Sequence, residues 1–143
     1  MKLTAFVVAE HAEAVNGKLY VMGGCWNTLS APQLPFPYPH MALAAAVEVP
    51  WQSTNEKHRI QVELLDTDGN QAMPQKIDGE FEVGRPPGMR PGDDSIVVLA
   101  FNFNNLTFTK AGWYSFVLSI DGTDLGHARF KVQLVQAPTP AAG

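Results

Sequence analysis

The chain has 143 residues, 45% hydrophobic and 17% charged, a size and balance that fit one globular domain whose core needs neither disulfide nor metal. Ten basic against fourteen acidic residues leave a net charge of −4, and with no Lys/Arg cluster the chain lacks the basic face of a nucleic-acid binder. A single cysteine excludes an internal disulfide framework and any multi-cysteine metal centre, and it fits a reducing, cytoplasmic setting.

The N-terminus "MKLTAFVVAEHAEAV" carries an apolar run from Leu3 to Ala9 that Glu10, His11 and Glu13 end too soon for a signal-peptide core or a membrane span. No later segment reaches membrane length, so neither a membrane nor nucleic acid is an expected partner. "KLTAFVVA" reads as a first strand, "AEHAEAV" as one helical turn, and Asn16-Gly17 as a turn of residues that tolerate positive φ. "KLYVMGGCW" follows as a second strand, able to pair with the first as an antiparallel neighbour.

"NTLSAPQLPFPYPH" holds prolines at 32, 35, 37 and 39. Proline has no amide proton for a ladder, so the stretch reads as an extended connector crossing between two sheets. In "MALAAAVEV" the alanines favour helix, but Met41, Leu43, Ala45, Val47 and Val49 alternate and the reading is a strand. "HRIQVELLD" alternates more plainly, with Ile60, Val62 and Leu64 on one face and Arg59, Gln61 and Glu63 on the other. "DGEFEVG" is a short strand, "RPPGMRPGDD" a loop, and "SIVVLAFNF" a strand apolar on both faces, as expected at the centre of a sheet. "GWYSFVLSI" and "GHARFKVQL" flank "DGTD" as a hairpin, with Ala128, Phe130, Val132 and Leu134 inward and His127, Arg129, Lys131 and Gln133 outward.

Seven to nine short strands with frequent turns indicate an all-β fold, a two-sheet antiparallel β-sandwich with Greek-key or jelly-roll connections. Residues 1–135 form the domain and 136–143 a flexible Pro/Ala tail.

Cys25 lies in "GGCW". A cysteine nucleophile of the papain type heads a helix that lowers its pKa, and no helix follows here. The reading is a buried thiol in a strand, with Gly23 and Gly24 making a bulge or a close approach. His11, His40, His58 and His127 form no local metal-binding spacing, and His58 and His127 fall at outward positions. "DTDGNQ" lacks the glycine and glutamate of a calcium loop and reads as a turn. Glu80 and Glu82 share a solvated strand face, where like charges repel, and do not form a buried acid/base pair. No phosphate-loop, dinucleotide or serine-hydrolase motif occurs. No cofactor, no metal and no catalytic residue is expected.

Two stretches suit binding. "PQLPFPYPH" presents Phe36 and Tyr38 on a stiff backbone, and the loop from Gly84 to Asp94 offers Arg85, Met89 and Arg90. The expected function is non-catalytic binding, to a protein partner or by self-association. The alternative is a sugar or lipid binder using Trp26, Trp51 or Trp113 as a stacking platform, and a remoter one is a Cys25-dependent enzyme.

"TKAGWYSFVLSIDG" resembles the penultimate strand of immunoglobulin-like sandwich domains. That resemblance implies that Tyr114 sits near a corner with its hydroxyl bonded to nearby backbone, and that Phe116 stands where antibody domains have a cysteine. Across residues 1–135 the order "MKLTAFVVAEHAEAVNGKLYVMGG", "PFPYPHMALAAAVEVP", "VELLDTDGN" and "GWYSFVLSIDG" resembles a family of uncharacterised bacterial proteins, common in actinobacteria and classed as a domain of unknown function. It implies a compact cytoplasmic β-sandwich and transfers no catalytic residue.

Overall fold

The computed structural model describes residues 1–135; the expected tail at 136–143 lies outside the described residues. Among the described residues are nine strands: β1 (Lys2–Val15), β2 (Lys18–Gly24), β3 (Thr28–Ala31), β4 (Phe36–Val49), β5 (Lys57–Leu65), β6 (Ile77–Glu82), β7 (Ser95–Phe108), β8 (Gly112–Ile120) and β9 (Thr123–Leu134). The one helical element among the described residues is a 3-10 turn at Trp51–Ser53, and no helix there is long and apolar enough to cross a membrane. The strands build a β-sandwich of two sheets, ordered β2-β1-β4-β7 and β3-β9-β8-β5-β6. All pairings are antiparallel except that of β3 with β9, which is parallel. Consecutive strands repeatedly change sheet, the Greek-key manner of closing a sandwich.

Alternation fills the space between the sheets. Met41, Leu43, Val47 and Val49 of β4 face Val62 and Leu64 of β5, Phe116 and Leu118 of β8, and Phe130 and Val132 of β9, all fully buried. Phe108, Tyr114, Phe116 and Phe130 form an aromatic knot with ring centroids 5.0–5.8 Å apart, in offset geometries that suit their quadrupoles. The Tyr114 hydroxyl donates to the Lys110 carbonyl at 2.8 Å, which is the corner that its sequence setting implies. Phe116 stacks on Phe103.

The other face of β4 explains its alanines. Ala42 and Ala44 form a second buried cluster with Ala9 and Ala12, with Val7, Leu19 and Ala100 packed against it. The β1–β2 hairpin leans over the outer face of its own sheet, and only methyl groups leave room for its backbone. Asn16 and Gly17 at its tip both have positive φ, the two-residue turn that matches strand twist. The residues expected to form a helical turn, Ala9–Val15, instead complete β1, because β2 supplies a ladder for them.

The proline-rich stretch is also more regular than expected. Thr28–Ala31 joins the edge of the five-stranded sheet, and Phe36 begins β4. Pro37 and Pro39 are tolerated because β1 pairs with β4 only as far as Ala9↔Ala42. Residues 36–41 therefore bond to β7 alone, and a missing amide proton on the free side costs no ladder bond. Asn102 compensates, its side chain donating to Ala12 O at 2.8 Å and accepting from Ala12 N at 3.3 Å.

Three expectations are corrected. "SIVVLAFNF" is not central: β7 is an edge strand, apolar on both faces because the core lies under one and the leaning hairpin touches the other. Leu134, expected inward, is exposed near the end of β9, where β3 has ended at Ala31. His58, expected outward, is buried, since it continues the inward series of Ile60, Val62 and Leu64.

Candidate functional site

The feature that stands out is the free edge of β7. From Ser95 to Phe108 it runs for 14 residues without a charge, a proline or a glycine. It pairs with β4 on one side, and none of its backbone groups bonds to a turn or loop on the other. Natural sandwiches blunt such an edge with lysine, proline, a bulge or a covering loop, because a row of unpaired N–H and C=O groups is a template for another strand. Here Ile96 is 52% exposed, and Val97, Val98, Leu99, Ala100 and Phe101 are all half-buried.

Two open hollows flank this edge. One, of about 830 Å³, lies at its N-terminal half between Ile96–Val98, the hairpin tip at Ala14 and Gly17, and the segment Glu82–Pro86. The other, of about 650 Å³, lies along residues 102–107, against Ala72, Met73 and Pro74 of the β5–β6 connection and Ile77 of β6. Strand edge and hollows together form a groove along the side where the two sheets end in β7 and β6. Its lining mixes apolar side chains with polar ones: Gln71, Gln75, Asn102, Asn104, Asn105, Thr107 and Thr109 at one end, and Glu82, Arg85 and Ser95 at the other.

The residues expected to bind fall into three places. Arg85 and Met89 reach the start of β7. The Arg85 guanidinium lies 3.7 Å over the Trp51 ring, and its Nε donates to Thr54 Oγ1 at 2.6 Å, so it fixes the wall of the first hollow. Met89 Sδ accepts from Ser95 Oγ at 3.7 Å. Phe36 and Tyr38 sit at the far end, beside Phe108 and Leu106 of β7, half-buried and packed against the core. Arg90 is exposed in the loop, its backbone N–H bonded to Asp93 Oδ2 at 2.8 Å. The edge itself was missed, since a strand's place in a sheet is set by crossings that local alternation does not encode.

Cys25 is corrected. It lies just past β2, exposed, at φ 66°, with its N–H bonded to Val8 O; the left-handed turn swings the thiol outward where a strand would have buried it. No imidazole hydrogen-bonds to it among the described residues. The three tryptophans do not form a shared platform. Trp26 meets Phe130 edge-on, Trp51 lies under Arg85, and Trp113 lies under Arg129. In the "DTDGN" turn, Asp66 Oδ1 accepts the N–H groups of Asp68 and Asn70, and Lys110 Nζ lies 3.3 Å from Asp66 and 3.0 Å from Asp68.

A serine, a histidine and an aspartate also line up on the outer face of the five-stranded sheet. Ser115 Oγ is 3.4 Å from His127 Nδ1, and His127 Nε2 is 2.7 Å from Asp124 Oδ2. The first distance is long for a hydrogen bond to a nucleophile. Ser115 lies within the β8 ladders, so its neighbouring amides are engaged and do not form an oxyanion hole.

No curated protein matches this chain. Among solved structures, a β-glucosidase from Listeria innocua in complex with glucose is similar over 78% of this chain, at 10% identity and a TM-score of 0.43; the chain spans 15% of that enzyme's length. The CARDB domain of a Pyrococcus furiosus protein in complex with di-metal ions is similar over 96% of this chain and 98% of its own, at 13% identity and a TM-score of 0.35. Residues 4–133 match the profile of a family of unknown function, DUF6941, and the chain belongs to that family.

Proposed function

We propose that the protein is a non-catalytic binding module that works by adding a strand to the free edge of β7, and that the strand is β7 of a second copy. The observation that carries this is the 14-residue uncharged edge with its outward backbone unpaired. Two copies related by a two-fold axis place β7 antiparallel to itself, which sets like faces together and brings no like charges opposite each other. Ile96 and Val98 of each copy then meet residues of the partner's β7, and the flanking hollows receive side chains from the added strand. Arg85 and Met89 border the contact at one end. Phe36 and Tyr38 flank β7 from the neighbouring β4 at the other end, and Arg90 lies on the adjoining loop. A bacterial, cytoplasmic protein is part of the same reading; the free exposed Cys25 supports the cytoplasmic setting alone, because such thiols persist in reducing compartments.

Sedimentation equilibrium tests it. The wild type is expected to gain mass with concentration toward a dimer, and Ile96→Lys and Val98→Lys, which place edge charges that oppose pairing, to remain monomeric while melting cooperatively. A wild type that stays monomeric throughout overturns the proposal.

A further inference from the structure

His11 and His40 are 29 residues apart in sequence but adjacent in the structure, where β1 and β4 part just beyond their last ladder pair, Ala9↔Ala42. His11 Nδ1 lies 3.1 Å from His40 Nε2, with ring centroids 5.3 Å apart and planes 29° from parallel. The two nitrogens therefore point at one another. Each ring's other nitrogen is already engaged by an oxygen: His11 Nε2 lies 3.2 Å from Glu13 Oε1, and His40 Nδ1 lies 2.8 Å from Asn104 Oδ1.

Those partners set the tautomers. A carboxylate and an amide oxygen accept, so His11 Nε2 and His40 Nδ1 each carry a hydrogen. In the neutral rings the two facing nitrogens are then both lone pairs, and at 3.1 Å they repel unless a cation lies between them. An imidazole that donates its far N–H to a carboxylate or amide oxygen while its near nitrogen stays bare is the arrangement found around metal-bound histidines. Bonds of about 2.05 Å hold two ligand nitrogens about 2.9 Å apart at a right angle and about 3.3 Å apart at the tetrahedral angle. The observed separation lies between the two. An ion bonded to both nitrogens at about 2.05 Å lies about 1.3 Å off the line between them, so each lone pair must swing roughly 40° from that line to converge on it. No three His, Cys, Asp or Glu side chains converge among the described residues, so the protein offers two ligands and water completes the shell.

We propose that His11 and His40 chelate a divalent transition-metal ion of the zinc–nickel–copper class, with Glu13 and Asn104 orienting the rings. Imidazole ligands select that class over magnesium or calcium. Bound there, the ion ties the leaning β1–β2 hairpin to β4 at the point where backbone pairing stops.

The test is equilibrium dialysis and calorimetric titration of the untagged full chain with Ni²⁺ and with Zn²⁺. One ion per chain is expected, with a rise in melting temperature on saturation. His11→Ala and His40→Ala should each abolish that stoichiometric binding, and Glu13→Gln should weaken it about 10–100-fold. His127→Ala, which alters the other exposed imidazole–carboxylate pair, should leave it unchanged. Metal-free melting curves show whether each variant folds, and His40→Gln serves if His40→Ala does not. Absence of binding to the wild type, which leaves a shared proton as the only occupant, overturns the proposal. So does binding that survives His40→Ala or His40→Gln, or that disappears in His127→Ala.

Discussion

His58 and Asp121 hold three separate pieces of the chain together through one buried imidazole. His58 is 4% exposed; its Nδ1 lies 2.6 Å from Asp121 Oδ2 and its Nε2 2.6 Å from the Ser53 carbonyl. Asp121 Oδ1 also accepts the Arg59 N–H at 2.9 Å. Both neighbours of the ring are acceptors, so both ring nitrogens carry hydrogens and the ring is an imidazolium. It ties β5 to the β8–β9 turn and to the 3-10 turn.

The pair predicts a pH window for stability. Burial lowers the His58 pKa, but the Ser53 carbonyl and the Asp121 carboxylate together raise it above its ordinary value of 6.5. The folded chain holds that proton more tightly than the unfolded one. The contribution is therefore complete below the unfolded pKa and is lost as pH rises through the folded value. Asp121 runs the other way: the His58 hydrogen bond and the Arg59 N–H lower its pKa, so its contribution is lost as pH falls through that lowered value. Urea midpoints should decline in the wild type as pH rises above 6.5 and flatten in His58→Ala. A wild-type curve with no decline there contradicts the assignment.

Tyr114→Phe removes the hydroxyl that satisfies the Lys110 carbonyl and leaves the ring in the aromatic knot. The expected loss is about 1 kcal/mol, the net value of a typical internal hydrogen bond. Denaturant titration with an unchanged slope would check it.

Ala44→Leu tests the second core. Ala44 is fully buried under the hairpin, and three added carbons cannot fit without lifting it. The expected cost is about 1–3 kcal/mol, with faster amide exchange in β1 and β2 than in β8 and β9. Equal exchange in both sheets would mean that the hairpin does not pack as described.

Cys25 should react with a thiol reagent in the native protein as fast as after unfolding. It is exposed beyond the end of β2, and slow native modification would contradict that placement.

What was legible in the sequence is whatever a strand's own alternation records. Ile60, Val62 and Leu64, or Met41 to Val49, declare their buried face because neighbouring positions point to opposite sides. The hairpin turns at Asn16-Gly17 and Asp121-Gly122 are equally local, since both pairs hold positive φ. The misplaced features depend on distant partners. The edge position of β7 follows from which strands cross between sheets. The contact of His11 with His40 follows from a ladder that ends at Ala42. Cys25 is exposed because of a single left-handed residue after Gly24, and His58 looked polar enough for the surface until Ser53 and Asp121 arrived to satisfy it. The binding residues expected on the stiff proline-rich stretch and the Gly84–Asp94 loop, Phe36, Tyr38, Arg85, Met89 and Arg90, surround the candidate edge without including it.

Amide hydrogen exchange along Ser95–Phe108 at increasing protein concentration tests the central claim most directly. Outward-facing amides of β7 that have no partner in the single chain should become protected as concentration rises, while β2 and β3, the outer edges on the far side of each sheet, stay unchanged. If those β7 amides exchange freely at every concentration, no second strand is seated there, and the edge is not the working surface.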